Sequence, residues 1–195
     1  MKRENDEIEI VEVDERYAWR KWLEQKHDFS RGAWLIIPKK GSDKKGVSLE
    51  DAVEEALCFG WIDSRLNVID TKSYKLLFTP RKPGSTWSKI NKQRVEKLIR
   101  KGLMTSEGLK KIEDAKRDGS WNSLDSIEEL GLPEDLRKAL ATNKNAQQNF
   151  KFFSNSSKKQ VLWWIESAKT PETRLKRIRQ TISMTEKNKS ISFTE

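Results

Sequence analysis

Apolar and polar positions divide the chain into a strand-rich first part and a helical second part. IEIVEV, residues 8–13, is rich in β-branched side chains and predicts a strand. Asp14 is placed to cap a helix running to about Lys26, in which Ala18, Trp19, Trp22 and Leu23 recur at helical spacing. The unbroken run Trp34-Leu35-Ile36-Ile37 predicts a central strand, closed by Pro38. Ser48, with Asp51 three residues on, opens a capping-box-like helix whose stripe is Ala52, Val53, Ala56 and Leu57. Gly60 ends it, and two strands follow over about 61–69 and 74–79, joined by the turn Asp70–Ser73.

Strict alternation sorts the first of these strands into two faces. Ile62, Leu66 and Val68 point one way and are expected in the core; Trp61, Asp63 and Arg65 point the other. On that second face Asp63 and Arg65 form either an ion pair beneath Trp61 or the lining of a ligand-binding cleft.

Pro80-Arg81-Lys82-Pro83-Gly84 is a rigid turn and the main boundary in the pattern. Beyond it only helices are predicted. The first, about 86–101, is capped by Ser85 or Ser88, with Trp87, Asn91, Val95 and Leu98 on one line. Asn91 is a polar amide on an apolar stripe and must find partners, since an unsatisfied buried one costs roughly 1–3 kcal/mol. It either anchors the preceding turn or reaches the Asp63 face. Arg81, Lys82 and Lys89 surround this helix start, where free N–H groups suit a phosphate or carboxylate.

A helix over about 105–118 follows a three-residue turn; the pair is a generic helical hairpin without a convincing recognition helix. Gly119 and Ser120 open a loop containing Trp121. Further helices are predicted over about 133–141, with Pro133 at the first position, and about 144–153. Ser156 or Ser157 caps the next, with Val161, Trp164, Ile165 and Ala168 on its buried face and Trp163 off it. Thr170 and Pro171 start a last helix with a thin line of Leu175, Ile178 and Ile182 coated by Arg174, Lys176, Arg177 and Arg179. That basic surface suits nucleic acid or anionic lipid, or is the solvated face of a docked helix. Residues 1–6 are expected to fray, and those after about 187 to be disordered.

The fold class is therefore α+β: a small, mostly antiparallel sheet of about four strands with two helices, followed by a helical C-terminal half. Residues 1–84 form the sheet-bearing part and 85–195 a basic helical part packed on it as a single unit. Charge sharpens that division. Residues 1–84 hold 16 basic and 16 acidic residues, whereas 85–195 hold 23 and 14, so the net +9 lies in the helical half. Such asymmetry points to an anionic partner, a small molecule or nucleic acid.

A single Cys and a single His exclude an intrachain disulfide and a metal-ligand cluster of the usual spacing. Cys58 is read as a buried thiol, and His27 as an imidazole meeting the carbonyls at its helix end. No GxGxxG or P-loop occurs. No cofactor, metal or catalytic residue is expected. Without an apolar leader or a membrane-length run, the chain is expected to be cytoplasmic. The candidate ligand-binding set is Trp61, Asp63, Arg65, Arg81, Ser85, Trp87, Ser88 and Asn91.

Five blocks, ALCFGWIDSR, FTPRKPGSTWSKIN, LIRKGLMTSEGL, DGSW and WIESAKTPETRLKRI, occur in an order and at spacings that resemble the YdeI/OmpD-associated, or bacteriocin-protection, family. The resemblance runs from about Trp19 to Ile182. It implies a bacterial protein of envelope or peptide stress tolerance, with an envelope protein as one possible partner, and it supplies no reaction and no catalytic residue. Three functions follow: a non-enzymatic binding protein in tolerance to antimicrobial peptides or bacteriocins, a nucleic-acid-binding protein using the basic helices, and a small anionic ligand-binding protein or enzyme at the Trp61/Asp63/Arg65/Arg81 face.

Overall fold

The structure, a computed structural model, describes residues 8–187. Among these, two compact units form, one ending at Ser123 and the other beginning at Leu124.

The first unit is built on a four-stranded mixed sheet in the order β1-β2-β4-β3. β1 (Glu9–Val11) runs parallel to β2 (Ala33–Pro38); β4 (Ser73–Pro80) is antiparallel to both β2 and β3 (Trp61–Val68). The α+β class and the mostly antiparallel sheet are as expected. Helices α1 (Arg16–Lys26), α2 (Leu49–Cys58), α3 (Lys89–Arg100) and α4 (Ser106–Asp118) complete the unit. Trp19, Leu23, Leu35, Ile37, Leu57, Phe78, Trp87 and Leu98 are all in one core. Each such side chain, fully buried, stabilises by roughly 1.5–3 kcal/mol. Trp19 stacks on Trp22 at 5.2 Å and donates its indole N–H to Ala52 O, tying α1 to α2.

Local signals place most caps within a residue or two. The Ser48 hydroxyl accepts from Asp51 N and donates to the Asp51 carboxylate, as its spacing predicts. Ser88, rather than Ser85, caps α3. Asp14 does not cap α1: Glu15 occupies that position without a side-chain bond, because the helix begins at Arg16.

The face assignment on β3 is overturned. Trp61 is 1% exposed and in the core, whereas Leu66 and Val68 are 53% and 67% exposed. Leu66 and Val68 pair with Leu76 and Tyr74 on the core side and are exposed on the edge strand β3, whereas a register shift parts Arg65 from Trp61. Asp63 faces Phe78 and Leu66 faces Leu76, so three steps on β3 match two on β4. The extra residue reverses alternation beyond Asp63. Trp61, before the shift, packs edge-on to Trp22 at 5.8 Å, while the Arg65 guanidinium lies over Trp34. Trp34 alternates with the core residues Ala33 and Leu35, so Arg65 is on the opposite sheet face from Trp61.

α4 approaches the end of α2 at a glycine. A Cβ on Gly108 would fall 2.1 Å from Cys58 O, an impossible contact for any other residue. That same carbonyl accepts from Thr105 N at 3.1 Å and Thr105 Oγ1 at 2.7 Å. The join fixes where the last turns of α4 come to lie.

The second unit holds a short helix α5 (Asp125–Glu128), which the pattern does not reveal, and then α6 (Glu134–Ala141), α7 (Lys144–Phe152), α8 (Asn155–Glu166) and α9 (Pro171–Glu186). Its own core contains Leu136, Leu140, Phe150, Leu162, Ile165 and Ile178. Pro133 precedes α6 as its cap, and Ser154 caps α8 by accepting from Ser157 N, earlier than the serines expected. Thr170 caps α9 with Pro171 at its first position, as read from the sequence. By composition the chain changes at residue 84, whereas by packing α3 and α4 belong with the sheet. The expected fraying of residues 1–6 and disorder after 187 lie outside the described residues, apart from Lys187 itself.

Candidate functional site

Arg81 leaves the end of β4 just before the Pro-Gly turn. Its backbone N–H donates to Gly60 O at 2.9 Å, which pins the residue to the start of β3. Its side chain is directed inward and only 3% of the residue is exposed. The guanidinium carbon Cζ lies 3.6 Å from the Trp87 ring centroid, a close cation–π contact. Nη1 donates to Thr86 O at 3.2 Å. Nε and Nη2, the edge suited to a bidentate oxyanion, are buried and find no acceptor among the described residues. Burial pushes the group down to about 10, and the nearby charge of Asp63 offsets only part of that. At neutral pH it is still a cation.

A cavity of about 330 Å³ opens beside it. One wall is the Arg81–Ser85 turn with Trp87. The other is the end of α4 and the loop after it: Lys111, Asp114, Ala115, Arg117, Asp118 and Ser120. Asp118 ties the walls together. Its Oδ2 accepts from Gly84 N at 3.0 Å and its Oδ1 from Ser120 N at 2.8 Å. Hydrogen bonds from Ser120 and Gly84 hold its carboxyl below the usual range. Gly119, at φ +82°, gives the left-handed turn that ends α4 and swings Ser120 round. The buried Ser120 hydroxyl lies near the Asp118 carboxylate, whose pKa it helps to lower, and makes no well-formed hydrogen bond among the described residues. Trp121, next in the chain, packs on Trp87 at 5.0 Å.

Of the eight residues expected at a ligand site, Arg81, Ser85 and Trp87 line this cavity. Asp63 acts on Arg81 through its charge. Trp61 is core, and Arg65 is on the far sheet face with Lys75, both over Trp34. Ser88 caps α3. The Asn91 side-chain oxygen accepts from Arg94, one turn along the same helix. The wall that faces Arg81 is the end of α4. Lys111, Asp114, Arg117, Asp118 and Ser120 were missed as site residues. The signal available was the block DGSW, in which a helix-ending glycine stands between an aspartate and a serine.

The two other reactive residues are occupied otherwise. Cys58 is fully buried, and burial together with the Glu55 carboxylate pushes its thiol up to about 11. His27 Nδ1 lies 2.8 Å from Leu23 O at the end of α1, as expected.

Among the basic residues of α9, Arg174 is forked onto Asp135 at 2.6 Å and also reaches Glu166 at 3.1 Å. Arg177 donates to Trp164 O at 2.6 Å and to the Ser167 hydroxyl. Both therefore hold α9 within its unit. Lys176 and Arg179 are exposed. Within the described residues no helix is long and apolar enough to cross a membrane.

Comparison with known proteins divides the chain much as its packing does. Residues 11–111, just over half of it, match a family model described as a domain of unknown function, DUF8412. Residues 129–188 match the model described as Bacteriocin-protection, YdeI or OmpD-Associated. The block WIESAKTPETRLKRI lies within that second match, and the GWID and PRKPGSTWSKIN blocks lie within the first. No curated protein and no solved structure matches the chain. The chain therefore belongs to the DUF8412 family of domains of unknown function and carries, after that domain, one of the bacteriocin-protection, YdeI or OmpD-associated kind.

Proposed function

We propose that this is a non-enzymatic binding protein that holds a small oxyanion in the Arg81 cavity, and that it contributes through that binding to tolerance of bacteriocins or antimicrobial peptides. The observation that carries the reading is Arg81 itself: a cation 3% exposed, with two N–H groups directed to no acceptor, lining a cavity. Leaving a buried charged donor unmade costs several kcal/mol, and buried polar groups are ordinarily satisfied. A site that bears this cost in the free protein recovers it when an oxyanion seats on the arginine edge. The fully buried Cys58, its thiol held protonated, supports binding over nucleophilic chemistry. The link to tolerance rests on the family description matched over 129–188.

The test is thermal unfolding at constant ionic strength with acetate or methyl phosphate added. The wild type is expected to gain stability with ligand concentration, and Arg81→Met to gain none. An identical response of the two proteins sinks the reading.

A further inference from the structure

The Arg81 cavity holds more than a planar fork. Arg81 presents Nε and Nη2 in one plane, enough to engage two oxygens. Ser120, 7% exposed, adds a buried hydroxyl on the facing wall that makes no well-formed hydrogen bond among the described residues, and the nearby Asp118 carboxylate competes with a ligand oxygen for it. A carboxylate has two oxygens and is satisfied by the fork alone. A phosphoryl group has three, and the third needs a donor outside the guanidinium plane.

Charge agrees with that count. Arg81, Lys82, Lys111 and Arg117 line the cavity against Asp114 and Asp118, an excess of two positive charges. Asp118 is already engaged by two backbone N–H groups, and Asp114 lies 3.5 Å from Arg117. With Asp63 offsetting part of the Arg81 charge from outside the lining, the excess lies between one and two positive charges and suits an anion of that charge.

Building on the oxyanion reading above, we infer that the ligand is a phosphate monoester, seated on the Arg81 edge with its third oxygen accepting from the Ser120 hydroxyl. Selectivity for phosphate over carboxylate then resides in Ser120, and the binding charge in Arg81. Lys82 and Lys111, at the mouth, supply long-range attraction and a salt-dependent share of the affinity.

Calorimetric titration at constant ionic strength tests this with methyl phosphate and acetate as probes. Wild type is expected to bind methyl phosphate at least about tenfold more tightly than acetate. Ser120→Ala, its fold checked by circular dichroism, is expected to lose about tenfold for methyl phosphate and to leave acetate within about twofold. A reading that needs no variant is pH. The second ionisation of a phosphate monoester lies near 6, so affinity for methyl phosphate is expected to rise between about pH 5 and 7.5 while that for acetate holds steady. Equal affinity for both probes, with Ser120→Ala silent, overturns the phosphate assignment and leaves the oxyanion site standing. Binding of neither probe overturns both.

Discussion

Arg16 and Arg20 meet a wall of carboxylates, whereas Arg81 meets an indole and a cavity. In the first region Arg16 reaches Glu55 at 2.5 Å, Asp51 at 2.7 Å and Glu54 at 3.0 Å, and Arg20 reaches Glu55 at 2.7 Å. Lys97 adds a looser contact to Glu54 at 3.4 Å, and Arg20 also donates to Leu103 O. Burial opposes the charge on Arg16, yet its hydrogen bonds to Glu55, Glu54 and Asp51 outweigh that and raise its pKa. Burial opposes Arg81 as well, and there the group is driven down because no acceptor meets its Nε edge. The same side chain thus has two uses within one unit. Where carboxylates meet the guanidinium, the arginine clamps α1 to α2. Where two donors are left over beside a cavity, the protein carries an unmet charge that a ligand can meet.

The largest expected effect comes from breaking the matched region. Glu55 is 3% exposed at its side chain and serves both arginines. Glu55→Gln leaves two cations short of their shared partner, and loss of one side of a buried pair costs roughly 3–5 kcal/mol. Arg16 is about a third exposed, so the lower end, about 3 kcal/mol, is expected from urea unfolding. A loss below about 1 kcal/mol would show that the cluster is as dispensable as a surface pair.

Arg81→Met asks the opposite question. Without added anion the variant gives up the Thr86 bond and the Trp87 stack, and it removes a buried charge that the nearby Asp63 offsets only in part. Stability is expected to lie between unchanged and about 2 kcal/mol higher, as when buried ionic groups give way to apolar ones. A fall of about 3 kcal/mol in the same urea assay would mean that Arg81 is a structural clamp like Arg16, and the contrast would collapse.

How far this contrast was legible beforehand depends on the range of the interactions. The Ser48–Asp51 cap, the Trp87–Asn91–Val95–Leu98 stripe and the Pro80–Gly84 turn are written in residues a few places apart, and the structure follows them. Arg81 and Trp87 stood out for the same reason: they flank one short turn. The grouping of Trp61 with Arg65 failed because it assumed an unbroken pleat. The register shift between Asp63 and Leu66 is set by pairing with β4, and Ser64-Arg65 carries no glycine or proline to announce it. The second wall of the cavity was out of reach for a related reason. Asp118 meets Gly84 across 34 residues, through the close approach of Gly108 to Cys58, and no local pattern encodes that contact.

Cys58 supplies the smallest test and the sharpest check on the matched region. Its neighbours Arg20 and Arg16 would each lower the pKa of a thiol, and a cluster with positive charge to spare would yield a reactive thiolate. Instead burial and Glu55 prevail and push the thiol up to about 11. The unfolded thiol ionises near 8.5, so above that pH the unfolded chain loses a proton that the folded one keeps. The folded state then holds more protons, and stability falls as pH rises from about 8.5 towards 11. Relative to Cys58→Ala, measured at each pH so that lysines and tyrosines cancel, wild type is expected to lose about 2 kcal/mol of unfolding free energy by pH 10. Alkylation by iodoacetamide at pH 8 should be correspondingly slow without denaturant. Rapid labelling there, or parallel pH curves for the two proteins, would mean that Arg20 retains unmatched charge, and Arg81 would no longer be the exception among the buried arginines of this unit.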